Sequence, residues 1–228
     1  MADDLKYGYK GAEPTQSFGN NTGVFDPNDI NNLIADNKWT QFGQLELIHT
    51  ETITSATSAI DFRVADGTWD NSYNVHFVTY NNMTLTNSTQ NIFLQLFDST
   101  GTIINGAEYQ YALQQTDTNG NFTETRPPYL PYQAMYLAPT TTNFTASLRE
   151  EVTNGYFYIY NANDSSKYTS MTSHHTGFIN ISGSLYYSSL FGSGVHKSAE
   201  TTTGVRFMNF GTPSWDEGTI SIYGIRYS

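Results

Sequence analysis

The sequence has no cysteine among its 228 residues, so it can form neither disulfide bonds nor thiolate metal ligands. Charge is also scarce: charged residues make up 14% of the chain, and 10 Lys and Arg against 21 Asp and Glu give a net charge of −11. A chain this acidic repels a phosphate backbone, so nucleic acid is not an expected partner. No apolar run approaches the ~20 residues that cross a bilayer, so membrane insertion is not expected.

The amino terminus lacks the features of a secretory signal. The first four residues read MADD, which are acidic and are not followed by an apolar core. We therefore expect a protein that is made in a cytoplasm and does not leave by secretion.

Aromatic residues are abundant, with 17 Tyr and 14 Phe. Tyr, Phe, Thr and Ile suit a pleated strand, and short alternating segments follow one another at intervals of roughly ten residues, separated by Gly, Asn, Asp and Pro. This pattern predicts an all-β fold, an antiparallel β-sandwich of jelly-roll type with an extended N-terminal arm and one short helix. We assign residues 1–36 to the arm and helix, which would serve assembly, and residues 37–228 to the sandwich.

The carboxy-terminal segment, residues 204–227, reads as two strands facing each other across one loop. Ile220 and Ile222 alternate with polar residues and need a second layer to bury against. We expect this hairpin to close the sandwich. Other interpretations made from alternation are a strand with Val75 and Phe77 on its inner face, a strand at 92–97 buried on both faces, an irregular region at 115–147 and a loop at 189–198.

The first 25 residues contain isolated aromatics among frequent glycines and have no apolar face of their own. One interpretation is a disordered terminus; the other, which we favour, is an arm whose aromatic side chains insert into a neighbouring subunit. The helix that follows is predicted to start at Asp26 and Pro27 and to run for two to three turns. The arm residues are Tyr7, Tyr9, Phe18 and Phe25.

No catalytic, cofactor-binding or metal-binding residues are assigned, and no cofactor is expected. His174 and His175 are adjacent, so on a strand they point to opposite faces and cannot chelate one metal together. Two polar side chains at the protein surface explain the pair better than a metal site does. No histidine is recognised at ligand spacing from an acidic cluster. Gly-flanked serines do not match a nucleophile elbow, and the carboxylate pairs are sequence neighbours that diverge in an extended chain.

Aromatic residues in the loops are the candidates for a contact or glycan-binding surface. They could stack on pyranose rings, but Tyr and Trp are equally enriched in protein interfaces, so a lectin and an assembly surface both stay open. These residues are Trp69, Tyr129, Tyr132 and Trp215.

Six segments spread over the chain have a recognisable pattern: YGY (7–9), EPTQSFGNN (13–21), GVFDPNDIN (23–31), YFYIYNANDSSKY (156–168), VRF (205–207) and GTISIYGI (218–225). These segments resemble the virion structural proteins of marine tailed bacteriophages, in particular cyanophage-like ones and related appendage and decoration modules. The amino-terminal block is the most specific of them. The resemblance implies a non-enzymatic virion component with a jelly-roll-like body, without resolving capsid decoration, head fibre or tail appendage.

The sequence therefore predicts a structural protein located in the virion. Its expected partners are further copies of itself, with a trimer among the options, and other virion proteins such as capsid or tail proteins, reached through the N-terminal arm. The alternative is a carbohydrate-binding adhesion protein that holds a host surface polysaccharide, and the third option is a polysaccharide depolymerase.

Overall fold

The computed structural model describes residues 27–35, 45–84, 92–126, 134–138, 143–144, 152–209 and 215–226. The chain divides into two compact units, one formed by Met1–Gln44 with Arg226–Ser228 and the other by Leu45–Ile225. The arm residues Tyr7, Tyr9, Phe18 and Phe25 lie outside the described residues, so their role stays a prediction.

The predicted helix is present as α1 (Pro27–Ala35) in the first unit. Pro27 takes the first helical position, where its missing N–H costs nothing. Ile30 and Leu33 are half-buried, whereas Ile34 is exposed.

Strands make up the second unit, and every pair of neighbouring strands in its described part runs antiparallel. This confirms the all-β antiparallel sandwich; the specific jelly-roll connection stays a prediction. The strands are β1 (Leu45–Ile53), β2 (Ala59–Arg63), β3 (Val75–Met83), β4 (Ile92–Phe97), β5 (Tyr109–Asp117), β6 (Phe122–Thr125), β7 (Met135–Ala138), β8 (Asn143–Phe144), β9 (Thr153–Tyr160), β10 (Tyr168–Ile181), β11 (Ser184–Ala199), β12 (Gly204–Asn209) and β13 (Gly218–Ile225).

These strands form a large and a small sheet. The large sheet has the order β1-β13-β3-β9-β10-β11-β5-β6, with β8 paired to one end of β10, and the small sheet has the order β2-β12-β4-β7. The two layers share one apolar core, in which the ring of Tyr80 from β3 lies 5.2 Å from that of Phe207 in β12. Tyr109 of β5 also links the layers, because its hydroxyl accepts a hydrogen bond from the Leu96 amide of β4 at 2.9 Å.

The predicted carboxy-terminal hairpin is wrong. β12 pairs with β2 and β4 in the small sheet, whereas β13 pairs with β1 and β3 in the large sheet. Ile220 and Ile222 are fully buried, as expected. They are covered by the opposite layer, to which β12 itself belongs, because two apolar strands close in sequence can bury more surface by facing each other than by pairing.

The predictions made from the alternation of polar and apolar residues were also wrong for one face of β3 and for two regions predicted as loop or irregular. On β3 the core face carries Val78 and Tyr80, and Phe77 lies on the outer face instead. Residues 189–198, predicted as a loop, continue β11, because serines and glycines fit on a strand that pairs on both sides. The region 115–147, predicted as irregular, contains the end of β5 together with β6, β7 and β8. The strand at 92–97 is buried on both faces, which confirms that prediction.

Candidate functional site

The outer face of the large sheet carries a contiguous array of aromatic rings, which we call the aromatic face. The array begins on β13 and ends on β11, and neighbouring ring centroids along it lie 4.3–6.2 Å apart. His174 and Phe191 stack face to face, with 4.3 Å between centroids and 5° between planes. The rings belong to Tyr223, Phe77, Tyr158, Tyr156, His174 and Phe191.

Strand register produces this array. Tyr223 pairs with Phe77, and Phe77 pairs with Tyr158, which places three rings in one row across three strands. The adjacent row places Tyr156 opposite His174 and His174 opposite Phe191. Side chains directly opposite on one face lie ~4.5–5.5 Å apart at Cβ, so the rings contact each other. Tyr156 and Phe191 remain 39% and 55% exposed, so the face is open to solvent.

Charge is nearly excluded from this face. Its polar positions are filled by hydroxyl and amide side chains such as Thr79, Thr172 and Ser221. Among the described positions of the face that pair with a neighbouring strand, Glu124 on β6 is the only charged one. In a chain with a net charge of −11, the negative charge must therefore be concentrated elsewhere.

A groove with a volume of about 470 Å³ opens at one side of the aromatic face, where β5, β6 and β11 adjoin. Phe191 forms its aromatic wall, and Gln114, Glu124 and Ser193 supply polar groups. Its lining ends at Arg126, the residue that precedes the segment 127–133. An aromatic ring next to amide, carboxylate and hydroxyl groups can stack on a flat ligand and hydrogen-bond to its edge.

Two histidines are buried in the large sheet as neutral groups. Nδ1 of His175 and the hydroxyl of Tyr80 form a hydrogen bond with 2.8 Å between the two atoms. Burial lowers the pKa of His175 to about 3. Burial also raises the pKa of Tyr80 far above its ordinary value. The His76 ring stacks on Trp69 with 3.7 Å between centroids, and burial lowers the pKa of His76 to about 4.

The two histidines at 174 and 175 point to opposite faces, as predicted. Only His174 is partly exposed at the surface, however. His175 is fully buried, so the interpretation of the pair as surface residues is wrong for one of them. His175 is buried because its imidazole reaches the Tyr80 hydroxyl in the core.

The predicted contact tryptophans do not form a surface. Trp69 is 3% exposed and lies against His76, and Trp215 is fully buried against Phe207, with 5.1 Å between ring centroids. Both were expected to be exposed because they flank turns, but each fills space in the protein interior instead. Tyr129 and Tyr132 lie outside the described residues. The aromatic face was missed, although the alternating tyrosines at 156, 158 and 160 already indicated a strand with an aromatic side.

A histidine–carboxylate cluster was also missed. His196 lies beside Glu108 and Glu200, contrary to the interpretation that no histidine stands at ligand spacing from acidic residues. The pair His196 and Glu200 is separated by four residues, but Glu108 is brought in by the pairing of β5 with β11.

The fold is an antiparallel β-sandwich whose larger sheet presents the aromatic face. The chain matches no protein-family model, no curated protein and no solved structure. Within the described residues, no helix is long and apolar enough to cross a membrane.

Proposed function

We propose that the chain is a non-enzymatic structural component of a tailed-phage virion that associates with further copies of itself through the aromatic face. The observation that carries the proposal is the composition of that face. The described paired positions on the outer side of the large sheet, which include the aromatic face, hold aromatic, aliphatic, hydroxyl and amide side chains, with Glu124 as the single charged residue among them.

The distribution of charge favours a second copy of the same chain as the partner that covers the aromatic face. Two copies with a net charge of −11 each repel one another over most orientations, and a nearly uncharged face is where they can approach at least electrostatic cost. Protein interfaces are depleted in charge and enriched in Tyr and Phe at their centres, as this face is.

The outer face of the large sheet, of which the aromatic face is the central part, approaches a standard interface in size. Its eight strands, spaced about 4.8 Å apart with about five to six residues each at about 3.3 Å, cover about 600 Å². A standard interface buries ~800 Å² on each partner, so this outer face with its rim approaches that size. The exposed leucines Leu45 and Leu47 on β1 lie at one edge of it.

The virion as location is supported by the resemblance of the segments at 7–31, 156–168 and 218–225 to phage structural proteins. The aromatic residues Tyr156 and Tyr158 belong both to those segments and to the aromatic face. Contact with other virion proteins, such as capsid or tail proteins, is assigned to residues 1–36, which leaves the aromatic face for contacts between copies.

Sedimentation of the purified chain tests the association. The wild type should sediment as an oligomer of the 25.5 kDa chain. The variant Thr172→Glu, at an exposed position opposite Tyr158, should sediment as a monomer, because it buries a charge in the interface while leaving the core untouched. Val64→Glu adds the same charge at an exposed residue just after β2 and should stay oligomeric. A monomeric wild type, or an oligomeric Thr172→Glu, would contradict the proposal.

The amount of the chain in purified phage particles is a second measurement, which tests the location in the virion. Mass spectrometry of purified phage should detect the wild-type chain and Val64→Glu at equal levels and should find Thr172→Glu strongly depleted. If the wild-type chain is absent from particles that encode it, the location in the virion is wrong, whatever its state in solution.

Glycan binding is a second candidate function, favoured by the groove at Phe191. The ring of Phe191 has one face on His174 and is 55% exposed, so its other side can receive the apolar face of a pyranose. Gln114, Glu124 and Ser193 are placed to hydrogen-bond sugar hydroxyls.

A glycan array probed with the purified chain tests this candidate. Binding to host surface polysaccharide should fall at least ~10-fold in Phe191→Ala, which corresponds to the loss of one stacking contact of about 1.4 kcal/mol. Phe122→Ala is the matched control, because Phe122 is 62% exposed on β6 but does not line the groove. Absence of binding by the wild type, or equal binding by the two variants, would exclude the groove as the glycan site.

A further inference from the structure

A histidine and two glutamates converge where β5 begins and β11 ends. Nε2 of His196 lies 2.8 Å from Oε2 of Glu108 and 3.9 Å from Oε1 of Glu200. One ligand atom from each of the three residues lies within 4.8 Å of the others. Four-coordinate metal sites bring ligand atoms together on this scale, since each lies ~2.0–2.2 Å from the ion.

The imidazole of His196 directs its Nε2 atom to the two carboxylates of this cluster. The side chain is fully buried, and its Nδ1 atom has no hydrogen-bond partner within the described part of the chain. The polar contacts of the ring are therefore those that Nε2 makes with the two carboxylates. Glu108 and Glu200 are 48% and 25% exposed, so the cluster is closed on the protein side and open to solvent on the other. An ion could enter from solvent and keep water in its remaining position.

The backbone around the cluster is fixed before any ion binds. The Lys197 amide donates to the Glu108 carbonyl at 3.0 Å, and the Glu108 amide donates to the Gly106 carbonyl at 2.9 Å. His196 is held in register opposite Tyr109 by the pairing of β11 with β5. His196 lies on a paired strand, and Glu108 and Glu200 directly flank the ends of β5 and β11. Ligands whose backbone is held in this way lose little entropy on binding, which favours a preorganised site.

Charge and ligand type identify the class of ion. Two carboxylates beside an imidazole carry two negative charges at close range, which a divalent cation compensates. An imidazole ligand favours first-row transition ions such as Zn²⁺ over Mg²⁺ and Ca²⁺, which prefer all-oxygen sites. We propose that Glu108, His196 and Glu200 bind a divalent transition-metal ion of the Zn²⁺ class, which ties the end of β11 to the start of β5.

Titration calorimetry with Zn²⁺ tests the proposal on untagged, EDTA-treated full-length chain. We expect one Zn²⁺ per chain, and neither Mg²⁺ nor Ca²⁺ at the same concentration should compete. At about 100-fold excess over the Kd, Zn²⁺ should raise the thermal unfolding midpoint by about 5 °C or more. Glu108→Gln and Glu200→Gln should each weaken Zn²⁺ binding at least ~10-fold, because each replaces an anionic ligand with a neutral amide.

Glu51→Gln is the matched control. Glu51 lies 3.2 Å from His49, but no second carboxylate joins that pair among the described residues, so this variant should bind Zn²⁺ as the wild type does. Glu108 is exposed and Glu200 is half-buried, and Gln keeps the size and an oxygen atom of both side chains, so a folded Glu108→Gln/Glu200→Gln variant separates metal binding from folding. Wild-type affinity in that double variant, or no Zn²⁺ binding by the wild type at 100 μM, would overturn the proposal.

Discussion

Gly155 lies under the phenol ring of Tyr80, and the absence of its side chain is what admits that ring to the core. The two residues are paired between β3 and β9, and Gly155 is also paired with His175 on β10. The Tyr80 hydroxyl thus passes over Gly155 to reach His175 on the far strand. Three residues on three strands therefore form one buried polar contact inside an apolar layer.

Gly155→Ala should destabilise the fold strongly. A Cβ atom at this position would collide with the Tyr80 hydroxyl and would lie 2.6 Å from the carbonyl oxygen of His174, so both ring and backbone would have to shift. We expect a loss of about 3 kcal/mol in the free energy of unfolding, measured by urea denaturation. Gly106→Ala is the control, since its Cβ would meet only the flexible end of Glu108 at 3.2 Å. A loss below about 1 kcal/mol in Gly155→Ala would show that the close packing is not required.

At the scale of the element, the long hairpin of β10 and β11 organises the large sheet. Ser182 and Gly183 connect its strands, and both have positive φ, of 53° and 88°, as a two-residue type I′ turn demands. This turn sets the register that places His174 opposite Phe191. The loop predicted at 189–198 belongs to this hairpin, because its many serines and glycines resemble turn residues when the pairing of the strand is unknown.

Strand alternation predicts that a strand exists, but not which of its faces meets the core. On β3 both faces are aromatic or apolar, so Phe77 and Tyr80 were equally good core candidates from sequence. The core selects Tyr80 because its hydroxyl has a partner there and because Gly155 gives it room. Sheet membership is also hidden, since β12 and β13 each pair with strands more than a hundred residues away.

The candidate sites were hidden for the same reason. The rings of the aromatic face come from five strands, and Glu108 and His196 are 88 residues apart in sequence. Only the pairing of strands brings such residues together, and no local pattern contains it. The prediction that Trp69 and Trp215 are exposed was wrong for a related reason. Their neighbours in sequence are turn residues, which indicated exposure, whereas packing against His76 and Phe207 buries both side chains.

At the scale of the whole molecule, the buried histidines make the stability of the sandwich depend on pH. The unfolded chain binds protons at these residues near pH 6.5, whereas burial lowers the folded pKa of His76 to about 4 and of His175 to about 3. Between pH 6.5 and the lowered pKa values of the folded state, the unfolded chain binds protons at these histidines and the folded chain does not. Stability is therefore complete above pH 6.5 and falls as the pH decreases toward 4.

Each histidine should contribute a slope of about 1.4 kcal/mol per pH unit in that window. Urea denaturation at pH 7.5, 6.5, 5.5 and 5.0 should show a free energy of unfolding that is level above pH 6.5 and declines below it. His175→Gln removes one titrating group and should reduce the slope by about half. Tyr80→Phe is the control: it removes the hydrogen bond but keeps the buried imidazole, so it should lower stability at every pH and leave the slope intact. An unchanged slope in His175→Gln would mean that His175 binds its proton in the folded core as readily as in the unfolded chain, and the buried neutral contact between Tyr80 and His175 would then be wrong.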